Sequence, residues 1–339
     1  MGAKTVLCIP HGGDMDRRYF MKTALAGVTL LSSSSGHLVS GLSRDKKSKI
    51  ALIKSQDRKA AIQQILQMVD LPSPQEKKVF IKPNFNTADS YPGSTDNRTL
   101  AALVKEFKER GARSVSVGDR SGPQPTSEVL KDKGIYTLSD QLGFDVVDFS
   151  KISKDEWIHF NPDGNHWSQG FDLAAPAVNA EYLVTTPCLK THRFGGVFTL
   201  SLKLTVGMAP RGLMRELHSS PHMRLMIAEL NQPFQPQVMV MDGVEAFVDG
   251  GPMNGTRKKA DVFLAGTDRI AMDAVGVAVL KELGSNDAIM ETKIFEQEQI
   301  KRAVELGMGV SHPEQIELIT DDKPSAAYAG KLKEILLKA

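Results

Sequence analysis

Apolar and polar positions alternate along this chain with two periods, and the switches between them mark its elements. Residues 50–53 form an apolar run of strand length, followed by Ala61, Ile62, Ile65, Leu66 and Val69 at helical spacing. Residues 79–81 read as a second strand. Leu100, Leu103, Val104 and Phe107 then mark an amphipathic helix that starts near Ser94-Thr95-Asp96 and stops at Gly111. Residues 114–117, 146–149, 182–185, 238–241, 262–265 and 316–319 are further strand-like runs. Helices are expected from Thr126, from Pro221 to Leu230, over 269–283 and over 326–337.

Strand and helix alternate throughout, which predicts an α/β fold: a mainly parallel sheet with helices on both faces. An irregular stretch at about 150–176, containing Trp157, His159, His166 and Trp167, interrupts the alternation. It reads as an insertion or lid between two halves, about 44–150 and 177–339. In open α/β sheets ligands bind beyond the carboxyl ends of the strands, so the residues that follow each strand are the candidates.

Residues 1–43 read differently. Asp16-Arg17-Arg18-Tyr19-Phe20-Met21-Lys22 precedes a mild apolar run at 24–31 and then a Ser-rich stretch. Paired arginines before a run too short to span a bilayer are the pattern of a twin-arginine export signal. The expected route is the twin-arginine translocase and the expected location periplasmic or extracytoplasmic. Met15 is an alternative start to Met1.

Beyond residue 43 the acidic and basic side chains are equal in number, so no strong field points to nucleic acid. Of the two cysteines only Cys188 lies outside the leader. That excludes an internal disulfide in the remaining chain and an iron–sulfur cluster held by four of its own thiolates.

Four strand ends are polar: Lys82-Pro83-Asn84, Gly118-Asp119-Arg120, Cys188-Leu189-Lys190-Thr191-His192 and Asp242-Gly243. The densest segment, 189–222, sets Lys190, His192, Lys203, His218 and His222 among Gly195, Gly196 and Gly207. Lysines and backbone donors suit an anion. Histidines suit proton transfer or a borderline metal. Lys82, Asn84, Asp119, Lys190 and Asp242 are therefore candidate ligand-binding residues, His192 and Lys203 candidate catalytic residues, and His218 a candidate metal ligand. Asp273, inside an apolar run, needs a hydrogen-bonding partner.

The strings Phe80-Ile81-Lys82-Pro83-Asn84, Val117-Gly118-Asp119, Pro187-Cys188-Leu189-Lys190-Thr191-His192, Ser201-Leu202-Lys203, Val240-Met241-Asp242-Gly243 and 265–273 resemble the DUF362 family. The resemblance covers about residues 50–285 and implies no settled activity. Some members carry ferredoxin-type cysteines, which this chain lacks. More distantly, the order His192, Gly195-Gly196, Lys203, Gly207-Met208-Ala209-Pro210, His218 is similar to that of the nickel-pincer lactate racemases. By position that resemblance implies Lys203 as a covalent anchor of a nickel cofactor, His192 as acid or base and His218 as a nickel ligand. Leu200-Ser201-Leu202 stand where that family has paired glycines before the lysine.

Two classes of function stay open. One is an exported enzyme acting on a small anionic ligand, with or without a metal. The other is a non-catalytic accessory protein of an exported redox complex. The enzyme class expects His192 and His218 in one concave, partly buried cleft; the accessory class expects them apart.

Overall fold

The computed structural model describes residues 47–338. The expected export signal lies outside the described residues. Twelve strands are formed among the described residues: β1 Ser48–Lys54, β2 Lys78–Pro83, β3 Ser114–Asp119, β4 Asp145–Asp148, β5 Trp157–Phe160, β6 Phe171–Ala174, β7 Tyr182–Thr186, β8 Cys188–His192, β9 Val197–Thr199, β10 Val238–Gly250, β11 Gly255–Gly266 and β12 Ile316–Ile319. Eight of them run β12-β1-β11-β10-β7-β2-β3-β4 across one sheet, to which β8 and β9 add beside β10.

The fold is α/β and its sheet mainly parallel, as the alternation predicts. Parallel pairing joins β12 to β1, β10 to β7 and β8, β7 to β2, β2 to β3 and β3 to β4. The exceptions are the long β10–β11 hairpin, the β1–β11 pair and the β8–β9 pair, all antiparallel. The two expected halves share this sheet: β2, from before the insertion, lies between β7 and β3.

The strands are apolar on both faces because both faces are covered. Ala51, Ile53, Val79, Ile81, Val238 and Val240 pack on one side, against the helices Arg58–Met68 and Asn97–Glu109. Ile50, Leu52, Met239 and Met241 pack on the other, against Arg269–Glu282 and Lys323–Lys338. Helix Asn97–Glu109 starts where Asp96 accepts a hydrogen bond from the backbone N–H of Arg98, and it buries Leu100, Leu103, Val104 and Phe107. Emptying the site of Phe107 costs ~3–5 kcal/mol on the scale of aromatic truncations.

The 150–176 stretch is not a lid. Strands β5 and β6 pair as a separate antiparallel ribbon. Its Trp167, Phe171 and Leu173 are buried with Phe80, Phe149, Met226 and Ile227. Such aromatic burial fixes the ribbon against the sheet face.

Candidate functional site

The carboxyl ends of β2, β3 and β8 converge on a cavity of about 700 Å³, into which Lys82, Asn84, Asp119, Lys190, His192, Lys203 and His218 all face. The structure thus gathers both candidate catalytic residues, the candidate metal ligand and four of the five candidate binding residues.

Asp242 is the exception. It shares the strand face of Val238 and Val240, so its carboxylate meets the helices and not the cavity. There it accepts from Arg58 Nε at 2.8 Å, from the Thr99 hydroxyl and from the backbone N–H of Val244. A buried carboxylate so fully engaged fastens Arg58–Met68 and Asn97–Glu109 to β10. The loop after Asp242 does reach the site, through Pro252 and Met253 at the tip of the β10–β11 hairpin.

Segment 189–222, the densest in lysine and histidine, begins as strands β8 and β9, with Lys190 opposite Thr199 and His192 opposite Val197. Lys203 follows on the one-turn helix Ser201–Leu204. Asp273 holds the start of that turn: its carboxylate accepts the N–H groups of Ser201 at 2.6 Å and Leu202 at 3.1 Å. Burial pushes the Asp273 carboxyl up to about 7. His218 lies on the helix Met214–Ser219. His222 is not a cavity residue; its ring faces His166, with centroids 4.7 Å apart.

Each cation of the cavity is held differently. Lys82 Nζ pairs with Asp119 Oδ1 at 2.7 Å and donates to the Pro83 carbonyl. Asp119 also accepts from the backbone N–H of Phe85 and Arg120. Burial pushes Lys82 down and Asp119 up, and each partner opposes the other's shift. Gly207 permits this closeness: a Cβ there would lie 2.4 Å from Asp119 Oδ1 and 2.8 Å from Lys82 Nζ.

Lys190 Nζ donates to Asn84 Oδ1 at 3.1 Å and to the carbonyls of Pro252 and Gly93. Burial brings it down to about 8. Arg120 donates to the carbonyls of Ala209, Ser121 and Val206, and Arg211 to those of Gly122, Pro123 and Gln124. Sequence reasoning missed Arg211 and gave Arg120 no role. The signal for Arg120 was its place directly after Asp119 at a strand end.

Lys203 stands apart. Its side chain is buried, yet no acceptor or acid meets its ammonium among the described residues. Burial, then the charges of Lys190 and Arg120, lower it to about 7. Gly196 brings the β8–β9 turn down onto it: a Cβ at Gly196 would sit 2.8 Å from Lys203 Cε and 3.1 Å from His192 Nδ1. That His192 Nδ1 is buried with no hydrogen-bond partner, as is the hydroxyl of Thr199, which lies opposite Lys190 and also lines the cavity. Burial first, then Lys203, Lys190 and His218, depress the His192 imidazole far below its usual range, so the ring is neutral. Burial, Lys203 and Arg120 lower His218 too.

These features define a class of protein: a doubly covered, mainly parallel α/β domain with a cation-rich cleft at the carboxyl ends of its strands. The family described as "Domain of unknown function (DUF362)" matches residues 79–278, and the chain belongs to that family. A thylakoid-associated protein from Synechocystis sp. is 24% identical over 275 residues, which cover 77% of each chain. Among solved structures, the lactate racemase apoprotein from Thermoanaerobacterium thermosaccharolyticum aligns with a TM-score of 0.40 at 12% identity, over 85% of this chain and 86% of that one.

Proposed function

We propose that this protein binds a small organic anion in the cleft, with Lys203 and His192 at its reacting end. One observation carries the reading. Five cations, Lys82, Arg120, Lys190, Lys203 and Arg211, line the cavity against the single acid Asp119. Four of the five, all but Arg211, are buried; like charges buried together are costly, and an anion between them relieves that cost. An anion also offsets the lysine charges that depress His192. Its imidazole then becomes a better proton acceptor when ligand is present than when it is absent.

The direct test is a panel of small carboxylates and inorganic phosphate, read by thermal shift and calorimetry. At least one anion is expected to bind, and Lys203→Met to weaken it tenfold or more. Failure of every anion in the panel, or unchanged affinity in Lys203→Met, overturns the reading.

A second reading rests on Lys203 and His218 lining the same cavity. Among the described residues no group of three or more His, Cys, Asp or Glu is placed to hold a metal ion. A metal here fits as part of an organic cofactor, anchored by Lys203 with His218 as a donor. Such a nickel-type group would supply a centre able to accept a hydride. Elemental analysis and intact mass of protein from its native route decide it. Stoichiometric nickel with added mass on Lys203 supports this reading, and metal-free protein with an unmodified lysine refutes it.

The setting proposed for this chemistry is outside the cytoplasm, on the strength of Arg17-Arg18 and the apolar run that follows. An accessory role beside an exported redox complex is the competing account, and it predicts no turnover by the isolated protein.

A further inference from the structure

We propose that Lys203 is a nucleophilic lysine that forms an imine with a small organic anion bearing an aldehyde or ketone, such as a 2-oxo acid. The proposal rests on the anion-binding reading above and names its substrate class.

The argument is one of elimination among the cavity's amines. Lys82 is committed to Asp119 and to the Pro83 carbonyl. Lys190 spends its protons on Asn84, Gly93 and Pro252. Lys203 alone has neither acid nor carbonyl, and it is walled in by Gly196 and His192. An ammonium with no acceptor in a buried site is disfavoured, so the free amine, which is the nucleophile, gains. Burial and neighbouring cations bring it to about 7, which leaves much of it neutral under ordinary conditions.

His192 and Thr199 line the same cavity, and within the protein His192 Nδ1 and the Thr199 hydroxyl are enclosed with no hydrogen-bond partner. Buried polar atoms left unpaired are costly, and a ligand able to pair with them recovers that cost. A carbonyl carbon beside Lys203 Nζ gives them a role. The amine lone pair attacks the carbon, the C=O π pair moves to oxygen, and the oxygen takes up the proton lost from nitrogen. The resulting carbinolamine expels its hydroxyl as water, with the nitrogen's remaining transferable proton lost to solvent and one regained by the leaving oxygen. Amine plus carbonyl gives imine plus water, with no oxidant or reductant. Of the side chains lining the cavity, Thr199 offers a hydroxyl to donate to the carbonyl oxygen and His192 an imidazole to accept from the amine N–H. The carboxylate is left to the positive field of the cleft's other cations.

The test uses the full chain with glyoxylate, pyruvate and 2-oxoglutarate in the presence of sodium cyanoborohydride, read by intact and peptide mass spectrometry. A single reduced adduct on Lys203 is expected, forming at least tenfold faster than on any other lysine, with a rate that rises as pH rises through about 7. Lys203→Met lacks the nucleophile and the unpartnered charge, so it should fold, as judged by its melting transition, and take no label. Acetate and succinate, which have no reactive carbonyl, should compete. If these anions bind but no carbonyl compound labels Lys203 selectively, the imine proposal fails alone. If no anion binds at all, the anion reading fails with it. A Lys203 already carrying a covalent group in protein from its native host also overturns the proposal.

Discussion

Five cationic side chains reach one cavity, and the partner of each decides what it can do. Lys82 is half of a buried ion pair. Lys82→Met strands Asp119 and should cost ~3–5 kcal/mol in urea unfolding, the range for removing one member of such a pair. Lys203 is the opposite case. Its folded-state value, about 7, lies below the ordinary 10.5, so between those values the unfolded chain binds more protons than the folded one. Stability from this group therefore rises with pH across that window and is lowest at and below neutrality. Lys203→Met should stabilise the fold by ~2 kcal/mol or more at neutral pH, with the gain vanishing by about pH 10.5. A variant that is less stable than the parent at neutral pH contradicts the unpartnered-ammonium description. Lys82, Asp119, Lys190 and His192 were legible as polar residues after strands, and Lys203 and His218 as members of the dense 189–222 segment. Asp242 was misread, because a strand end places a residue at an edge and only the face parity of Val238 and Val240 shows which way it points.

The elements that carry the site were the hardest to see. Strand β8, Cys188–His192, is buried along its whole length although three of its five residues are polar. A hydrophobic period cannot reveal a strand whose inward positions are Lys190 and His192. The helix Ser201–Leu204 is a single turn, too short to show a helical pattern, and it exists where it does because Asp273 receives its first N–H groups. Asp273 itself was legible as a carboxylate needing a partner; the partner was not. Asp273→Asn leaves one acceptor oxygen for two donors. It should cost ~1–3 kcal/mol and displace Lys203, which unfolding and anion titration of the same variant would register together. Gly207→Ala sets a methyl group against the Lys82–Asp119 pair, and should destabilise by ~1–3 kcal/mol on the scale of overpacked sites. A melting transition unchanged in Gly207→Ala would mean that the pair is not held as described.

At the scale of the molecule, the long apolar runs were enough to read the covered, mainly parallel sheet. They did not show that β11 runs antiparallel to both β1 and β10, since a fully buried strand has the same composition in either direction. Among the described residues no helix is long and apolar enough to cross a membrane. Export, if it follows the paired arginines, should depend on them. Replacing Arg17 and Arg18 together with lysine should leave the protein in the cytoplasm, and wild-type levels outside it would refute the signal.

The central claim is that a small anion enters the cleft beside Lys203, and proton linkage reads that event directly. An anion favours the charged forms of Lys203 and Lys190, which are held at about 7 and about 8. Calorimetric titration at about pH 8 with a non-reactive carboxylate such as succinate, in two buffers of different ionisation enthalpy, gives the number of protons exchanged. The account predicts net proton uptake by the wild-type protein, affinity that falls as pH rises through this range, and a smaller uptake in Lys203→Met. Binding with no proton uptake, or uptake undiminished in Lys203→Met, would contradict it.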